Sequence, residues 1–83
     1  MLEEKDLNIR KIYIPLLDEG TDVIRPTTGI LIEKNIYIVE ETKDYDQNEE
    51  TWLFPPGSVV ECSEEYRDGE MILIAKKLIR KEL

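Results

Sequence analysis

Asp44, Asp46 and Asn48 stand at alternate positions in the stretch DYDQNEE, which is how a calcium-binding loop begins. The sixth position of such a loop requires glycine, and here it would be Glu49. The twelfth position requires a bidentate glutamate, and here it would be Pro55. Because the pattern fails at both positions, we expect a solvated acidic loop and no bound metal.

No other residues have the types and spacing that catalysis requires. The chain has no histidine, so Ser58 and Ser63 have no imidazole base that could activate them. The four glycines stand singly and form no phosphate-binding loop. Cys62, the single cysteine, can form neither an internal disulfide nor a multi-cysteine zinc site, and we expect a small buried hydrophobic residue. We therefore predict that the protein is not an enzyme and has no cofactor.

The charge of the chain is the main guide to its partners. The net charge is −8, and residues 1–75 carry 7 positive and 18 negative side chains, a net −11. Residues 76–83 have the opposite sign, with a net charge of +3. An acidic body repels phosphate backbones, so we expect no nucleic acid. We expect instead a protein partner of basic character, although a surface that serves only solubility would carry the same charges.

Two acidic segments, residues 18–22 and 42–50, lack apolar periodicity and are predicted to be exposed loops that contact the partner. A neighbouring cation and an aromatic residue complete the predicted surface. The predicted partner-binding residues are Asp18, Glu19, Asp22, Arg25, Asp44, Asp46, Glu49, Glu50 and Trp52. The oligomeric state is left open.

Arg25 has two interpretations. It is a lone cation between the acidic segments and directly precedes Pro26. A structural ion pair with Asp22 or Glu19 suits the planar guanidinium, and so does an acidic group on a partner.

The aromatic residues also have two interpretations. In TWLFPPGSVVEC, Trp52 and Phe54 share one face of a short strand before a proline-rich corner. Trp52 and Tyr13 could pack in the core or form an exposed recognition patch.

The spacing of apolar residues predicts strands. Apolar side chains alternate along RKIYIPLL. VIRPTTGILIEKN is one long kinked strand or two short ones, because Pro26 and Gly29 interrupt it. Lys34 and Asn35 then form a tight hairpin turn, since asparagine tolerates the left-handed conformation that such turns require.

The last segment, GEMILIAKKLIRKEL, fits either a strand or a helical stripe, and its β-branched residues favour a strand before Lys76. We predict a mainly all-β fold, a small barrel of five or six short antiparallel strands with a short C-terminal helical turn. Residues 1–83 form a single domain with its core at about 9–77 and flexible termini at 1–8 and 78–83. The predicted core residues are Ile12, Ile14, Ile38, Val60 and Leu73.

No stretch approaches the ~18 apolar residues that a membrane span needs. The opening residues, MLEEKDLN, have neither the basic nor the apolar region of a signal peptide. We therefore expect a cytoplasmic protein that does not enter a membrane.

Two stretches, IYIPLLDEGTDVIRP and WLFPPGSVVEC, resemble a family of small uncharacterised bacterial proteins that pair the motifs PLL.EGTDV.RP and W.F.PGS.V.C. The likeness covers about two thirds of the chain. Ile24 stands at the open position of the first motif, where tryptophan is expected, and this departure weakens the idea that an aromatic residue is essential there. The resemblance implies an SH3-like β-barrel in the bacterial cytoplasm and no catalytic residue.

Three functions are compatible with these features. The first is a non-enzymatic protein-binding module that engages a basic partner through acidic loops. The main alternative is a nucleic-acid-binding small β-barrel, for which only the basic residues 76–83 are a candidate contact. The second alternative is an immunity or antitoxin-type inhibitor, whose acidic loops would occupy the place of phosphates.

Overall fold

The computed structural model describes residues 8–17, 23–41 and 51–81, and these residues form six strands and no helix. The strands are β1 (Ile9–Leu17), β2 (Ile24–Glu33), β3 (Ile36–Val39), β4 (Thr51–Trp52), β5 (Ser58–Arg67) and β6 (Glu70–Lys81). The predicted all-β class is confirmed. The strands are not uniformly short, since β2 and β5 have 10 residues each and β6 has 12.

Along β1 the side chains alternate between the core and the surface, as the sequence predicts. Ile12, Ile14 and Leu16 are buried, whereas Tyr13 and Pro15 between them are half-buried. The alternation means that one face of β1 belongs to the core, and the other face is available for a surface site.

Apart from β4, each strand pairs in antiparallel fashion with the next strand along the chain. β1 pairs with β2, β2 with β3, β3 with β5, and β5 with β6. β6 also pairs with β1, through Tyr13 and Ile74, and this pair is parallel. When an odd number of strands reverses direction at every step, the last strand runs in the direction of the first, so these two can pair only in parallel. The prediction of antiparallel strands is wrong at this one pair.

β4 lies along the edge of β1 that faces away from β2. The Leu16 N–H donates to the Val23 carbonyl on the β2 side, at 3.0 Å. On the opposite edge Leu16 is paired with Trp52, and the Leu53 N–H donates to the Pro15 carbonyl at 2.9 Å. β4 and β6 therefore share one edge of β1.

β2 is one continuous strand through Pro26 and Gly29. β3 pairs with β2 only from Gly29 onward, so Pro26 lies where β2 has a single paired edge, a position that proline tolerates. A Cβ atom on Gly29 would lie 2.7 Å from the Cδ1 atom of Ile12, so glycine allows this core contact. Asn35 has a φ of 67°, which confirms the predicted turn between β2 and β3.

The core is continuous and contains both aromatic residues of the proline-rich corner. Trp52 and Phe54 are 3% and 7% exposed, which confirms that they share one face. The core cluster consists of Ile12, Ile14, Leu16, Tyr37, Val39, Trp52, Phe54, Val60, Cys62 and Ala75. Of the predicted core residues, Ile12, Ile14 and Val60 are fully buried, and Leu73 is half-buried and packs against the cluster.

Ile38 is not in the core, which corrects the prediction. In β3 the inward positions belong to Tyr37 and Val39, and Ile38 between them is only half-buried. A strand of four residues has one alternation that buries two side chains, and the bulkier Tyr37 occupies one of those positions.

The predicted C-terminal helical turn is a strand instead, because β6 continues to Lys81. Ser58 is paired with Lys81, and Val60 with Leu78. The register shifts twice, so that Lys76 and Ile79 are extra residues in β6 opposite β5. Two such bulges interrupt the alternation of a strand, which explains why the segment also fits a helical stripe.

The β5–β6 hairpin extends beyond the strands that flank it. β3 pairs with β5 only as far as Glu61, and β1 pairs with β6 only at Ile74. Beyond these points, four residue pairs from Glu64–Leu73 to Arg67–Glu70 have no further paired strand among the described residues. We call residues 64–73 the hairpin overhang.

Replacement of Ile14 by alanine tests the core. Ile14 is fully buried, so the substitution removes apolar contacts and leaves a cavity, which costs about 2–5 kcal/mol of unfolding free energy. A domain of this size holds only ~5 kcal/mol or slightly more, so much of the variant should be unfolded. Urea titration followed by the fluorescence of Trp52, the single tryptophan, measures the loss.

Ile32→Ala is the matched control. Ile32 is 38% exposed, so its loss should cost about 1 kcal/mol or less. Equal midpoints for the two variants would contradict the assignment of Ile14 to the core.

Candidate functional site

Tyr13 is the centre of the outer surface of β1. Its Cα is paired with Pro26 of β2 on one side and with Ile74 of β6 on the other. The ring is half-buried, and the Lys11 ammonium nitrogen lies 5.5 Å from its centroid. At this distance the face of the ring attracts a cation.

An open cleft of about 630 Å³ lies between Tyr13 and the hairpin overhang. Its apolar lining includes Tyr13, Ile24 and Ile72, and its charged lining comes from the hairpin turn. The full lining is Tyr13, Val23, Ile24, Arg67, Asp68, Glu70 and Ile72. The cleft therefore combines an apolar wall with two carboxylates and one guanidinium.

A second, shallower depression of about 410 Å³ lies on the other side of Tyr13. It is lined by Lys11, Pro26, Thr27, Thr28 and Glu41. The Thr27 hydroxyl donates to the Glu40 carbonyl at 2.6 Å, and the Thr28 hydroxyl donates to the Glu40 carboxylate at 2.8 Å. These bonds hold the chain that leaves β3 against β2, and they fix the position of Glu41 beside the depression.

An ion-pair cluster stabilises the face of the overhang that borders the cleft. Glu65 accepts hydrogen bonds from Arg67 Nε at 3.2 Å and Arg67 Nη2 at 3.0 Å, and it also contacts the Lys76 ammonium. Hydrogen bonds from Lys76 and Arg67 lower the pKa of the Glu65 carboxyl. The stabilisation is therefore present at neutral pH and is lost as the pH falls through this lowered pKa.

The carboxylates and the single thiol of the described residues are the groups that could hold a metal ion or act as nucleophiles. They include no group of three or more carboxylate or cysteine side chains that could hold a metal ion. Cys62 is 2% exposed, and burial raises the pKa of its thiol to about 12. A buried, protonated thiol is not a nucleophile at neutral pH.

The structure describes two of the nine predicted partner-binding residues, Arg25 and Trp52, and places them in different environments. Trp52 is in the core, so the core alternative applies and its ring offers no surface contact. Arg25 is exposed on β2, directly after the cleft residue Ile24. The other seven, Asp18, Glu19, Asp22, Asp44, Asp46, Glu49 and Glu50, lie outside the described residues, as do the incomplete calcium pattern and the two possible ion-pair partners of Arg25.

Three carboxylates that line the two depressions were not among the predicted site residues: Asp68 and Glu70 share the cleft with Tyr13, and Glu41 lines the second depression. Asp68 and Gly69 form the hairpin turn, with φ angles of 49° and 85°. Asp-Gly is a strong hairpin signal, and it would have located this turn. Nothing in the local sequence indicates that this turn lies beside Tyr13, because that contact depends on the β1–β6 pairing.

No protein-family model matches the chain, and no curated protein or solved structure matches it either. Within the described part of the chain, no helix has the length and apolar character to cross a membrane.

The thiol of Cys62 should react only when the chain unfolds. With its pKa raised to about 12, it is protonated at pH 8, and at 2% exposure it is closed to reagents. We expect a disulfide exchange reagent to label the folded protein on the order of 100-fold more slowly than the urea-unfolded chain. Stability should also fall as the pH rises from the unfolded thiol pKa of about 8.5 towards the folded value.

Ser63→Cys provides the control, because it adds a thiol at the exposed neighbouring position of β5. One thiol of this variant should react at once and Cys62 should stay protected. Immediate reaction of Cys62 in the parent protein would show that the thiol is accessible.

Proposed function

We propose that the protein is a non-enzymatic protein-binding module that engages a basic partner across Tyr13. The observation that carries this proposal is the position of Tyr13 between two depressions, each of which has a carboxylate in its lining. Aromatic side chains beside a few charged groups are typical of protein recognition sites.

The contacts suit a segment that presents both apolar and basic side chains. Ile24 and Ile72 supply apolar contact on one side of Tyr13, and Pro26 supplies it on the other. Lys11 already occupies a position near the ring at 5.5 Å, and a cation of the partner would replace it there. Asp68 and Glu70 would then pair with further basic groups.

The two acidic loops of the sequence are connected to these depressions. Residues 18–22 lead into Val23, which lines the cleft, and residues 42–50 follow Glu41, which lines the second depression. Their charges add to those of the site and would attract the same partner. A single-signed field of this kind raises the rate of association more than the final affinity.

We propose further that the fold is an SH3-like barrel. Five strands in chain order, each with two paired neighbours, support this architecture. The resemblance of the two motifs to a family of small bacterial proteins supports it as well, and with it a place in the bacterial cytoplasm.

Binding to short extended peptides tests the proposal. We expect nonapeptides that alternate lysine or arginine with apolar residues to bind, and the same peptides with glutamate in place of the cations to fail. Tyr13→Ala should weaken binding about tenfold, because truncation of a central aromatic contact typically costs more than 1 kcal/mol. Fluorescence anisotropy at about 50 mM and about 500 mM salt measures the affinity and its electrostatic share.

Two controls separate this site from general attraction to an acidic protein. Asp68→Asn with Glu70→Gln should reduce binding, whereas Glu33→Gln, on an exposed part of β2, should have little effect. Tyr66→Ala removes a more exposed tyrosine that does not line either depression. Equal losses in the Tyr13 and Tyr66 variants, or binding of the glutamate peptides, would refute the proposal.

A nucleic-acid-binding barrel is the second candidate, and the exposed basic end of β6 is the observation that favours it. Every residue from Lys76 to Lys81 is exposed. Lys76 is paired with Glu65, however, and the net charge of the chain is −8. An immunity-type inhibitor is a special case of the first proposal, in which the basic partner is itself a nucleic-acid-binding toxin.

We expect no shift of RNA or DNA in a mobility assay at about 150 mM salt, because phosphate binding needs a basic surface and weakens steeply with salt. Should binding occur, Lys77→Gln with Lys81→Gln would test the basic end of β6. Truncation is unsuitable, since the segment pairs with β5. Micromolar binding that these two changes remove would favour the nucleic acid function over protein binding.

A further inference from the structure

The hairpin overhang has an apolar strip on the face opposite the ion-pair cluster. Tyr66 and Met71 are directly paired across the two strands and are 71% and 57% exposed. Leu73, two residues along β6 from Met71, is half-buried and packs against the core. Because alternate residues of a strand share a face, the strip is continuous from the tip of the overhang to the core.

Tyr66 and Met71 are more exposed than the other large apolar residues on the described surface. Leu17, Ile32, Leu53, Leu78 and Ile79 are each 38–43% exposed. Tyrosine and methionine are among the residues enriched where proteins bind one another. Their direct pairing places both side chains in one contact patch.

The overhang has fewer stabilising contacts than the rest of the sheet, because no third strand pairs with it among the described residues. The Glu65 cluster ties the ribbon together on one face only. The two strands have no further paired strand among the described residues between Glu64 and Leu73. A partner on the apolar strip would cover the remaining face.

The charge of the overhang indicates what kind of partner this is. Residues 64–73 carry four carboxylates, Glu64, Glu65, Asp68 and Glu70, and one cation, Arg67. Glu64 is paired with Leu73 and therefore shares the face of the strip, and Asp68 lies in the turn, whereas Arg67 is bonded to Glu65 on the other face. A second copy of this chain, with a net charge of −8, would bring like charges together.

We propose that the strip of Tyr66, Met71 and Leu73 is a docking surface for a basic amphipathic helix of a partner protein. Four residue pairs at ~3.4 Å per residue make the ribbon about 14 Å long. A helix rises ~5.4 Å per turn, so two to three turns cover this length. Apolar residues three and four apart on the helix would contact the strip, and lysine or arginine beside them would reach Glu64, which is paired with Leu73, and Asp68 in the turn.

The apolar residues of this strip, Tyr66, Met71 and Leu73, do not line the depressions beside Tyr13, so substitutions of these residues test the two surfaces separately. The probe is a labelled amphipathic peptide of about 18 residues built from leucine and lysine, with a leucine and glutamate peptide of the same pattern as reference. We expect the lysine peptide to bind the full chain and to shift the amide resonances of residues 64–73. The glutamate peptide should do neither.

Tyr66→Ala with Met71→Ala should weaken binding of the helical peptide about tenfold or more. Both side chains are largely exposed, so the variant should keep the parent's urea midpoint, which the buried Trp52 reports. Tyr13→Ala is the control and should leave binding of the helical peptide unchanged. Conversely, unchanged extended-peptide binding in Tyr13→Ala together with normal binding of the helical peptide would contradict only the proposed function.

Three outcomes would overturn the proposal. The first is equal binding of the glutamate peptide, and the second is a set of shifted resonances that excludes the overhang. The third is a dimer of the chain in sedimentation equilibrium that Tyr66→Ala with Met71→Ala abolishes, since the strip would then contact a second copy.

Discussion

The parallel contact between Tyr13 and Ile74 is the constraint on which the rest of the structure depends. Five strands in alternating directions leave the first and last running the same way, so β1 and β6 can meet only in parallel. The contact extends over one residue pair because the two strands then diverge. Beyond the contact, β1 pairs with β4 from Leu16 onward. The hairpin overhang of β6 is separated from β1 by the cleft beside Tyr13.

The same divergence explains why charges are concentrated on the overhang. A ribbon that leaves the sheet loses the hydrogen bonds and the apolar contacts that a third strand would supply. The bulge at Lys76 turns β6 where it leaves β1, and Lys76 contacts Glu65 across the hairpin. Arg67 binds the same carboxylate at 3.0 Å, so two cations meet one glutamate in a chain with an excess of carboxylates.

Local sequence patterns were sufficient to predict the strands. They were not sufficient to predict features that depend on pairing between distant strands. Alternation in β1 and the asparagine turn after β2 depend on residues close together in the chain, and both predictions are confirmed. The prediction failed at Ile38, because the inward face of a four-residue strand depends on the strands that cover it. The prediction of a helical turn failed after Ala75. The bulges at Lys76 and Ile79 are set by the register with β5, and they give the apolar residues a spacing that resembles a helical stripe.

For the candidate site too, residue types could be predicted from the sequence but their spatial arrangement could not. A single buried tryptophan and an exposed arginine were visible as residue types, but the sequence does not show which side of a strand faces a cleft. Asp68 and Glu70 line the same cleft as Tyr13 because β6 pairs with β1. Acidic segments are recognisable from composition alone, whereas the apolar lining of the cleft depends on the fold.

The two faces of the overhang have different chemistry, and this limits how partners can share it. Ile72 faces the cleft beside Tyr13, and its neighbours Met71 and Leu73 belong to the opposite face. A short extended segment at Tyr13 therefore cannot touch Met71, and a helix on the strip cannot touch Ile72. The turn at Asp68 is the only part within reach of both, and its carboxylate can pair fully with one cation at a time. Two basic ligands would therefore compete through charge at the turn while their apolar contacts remain independent.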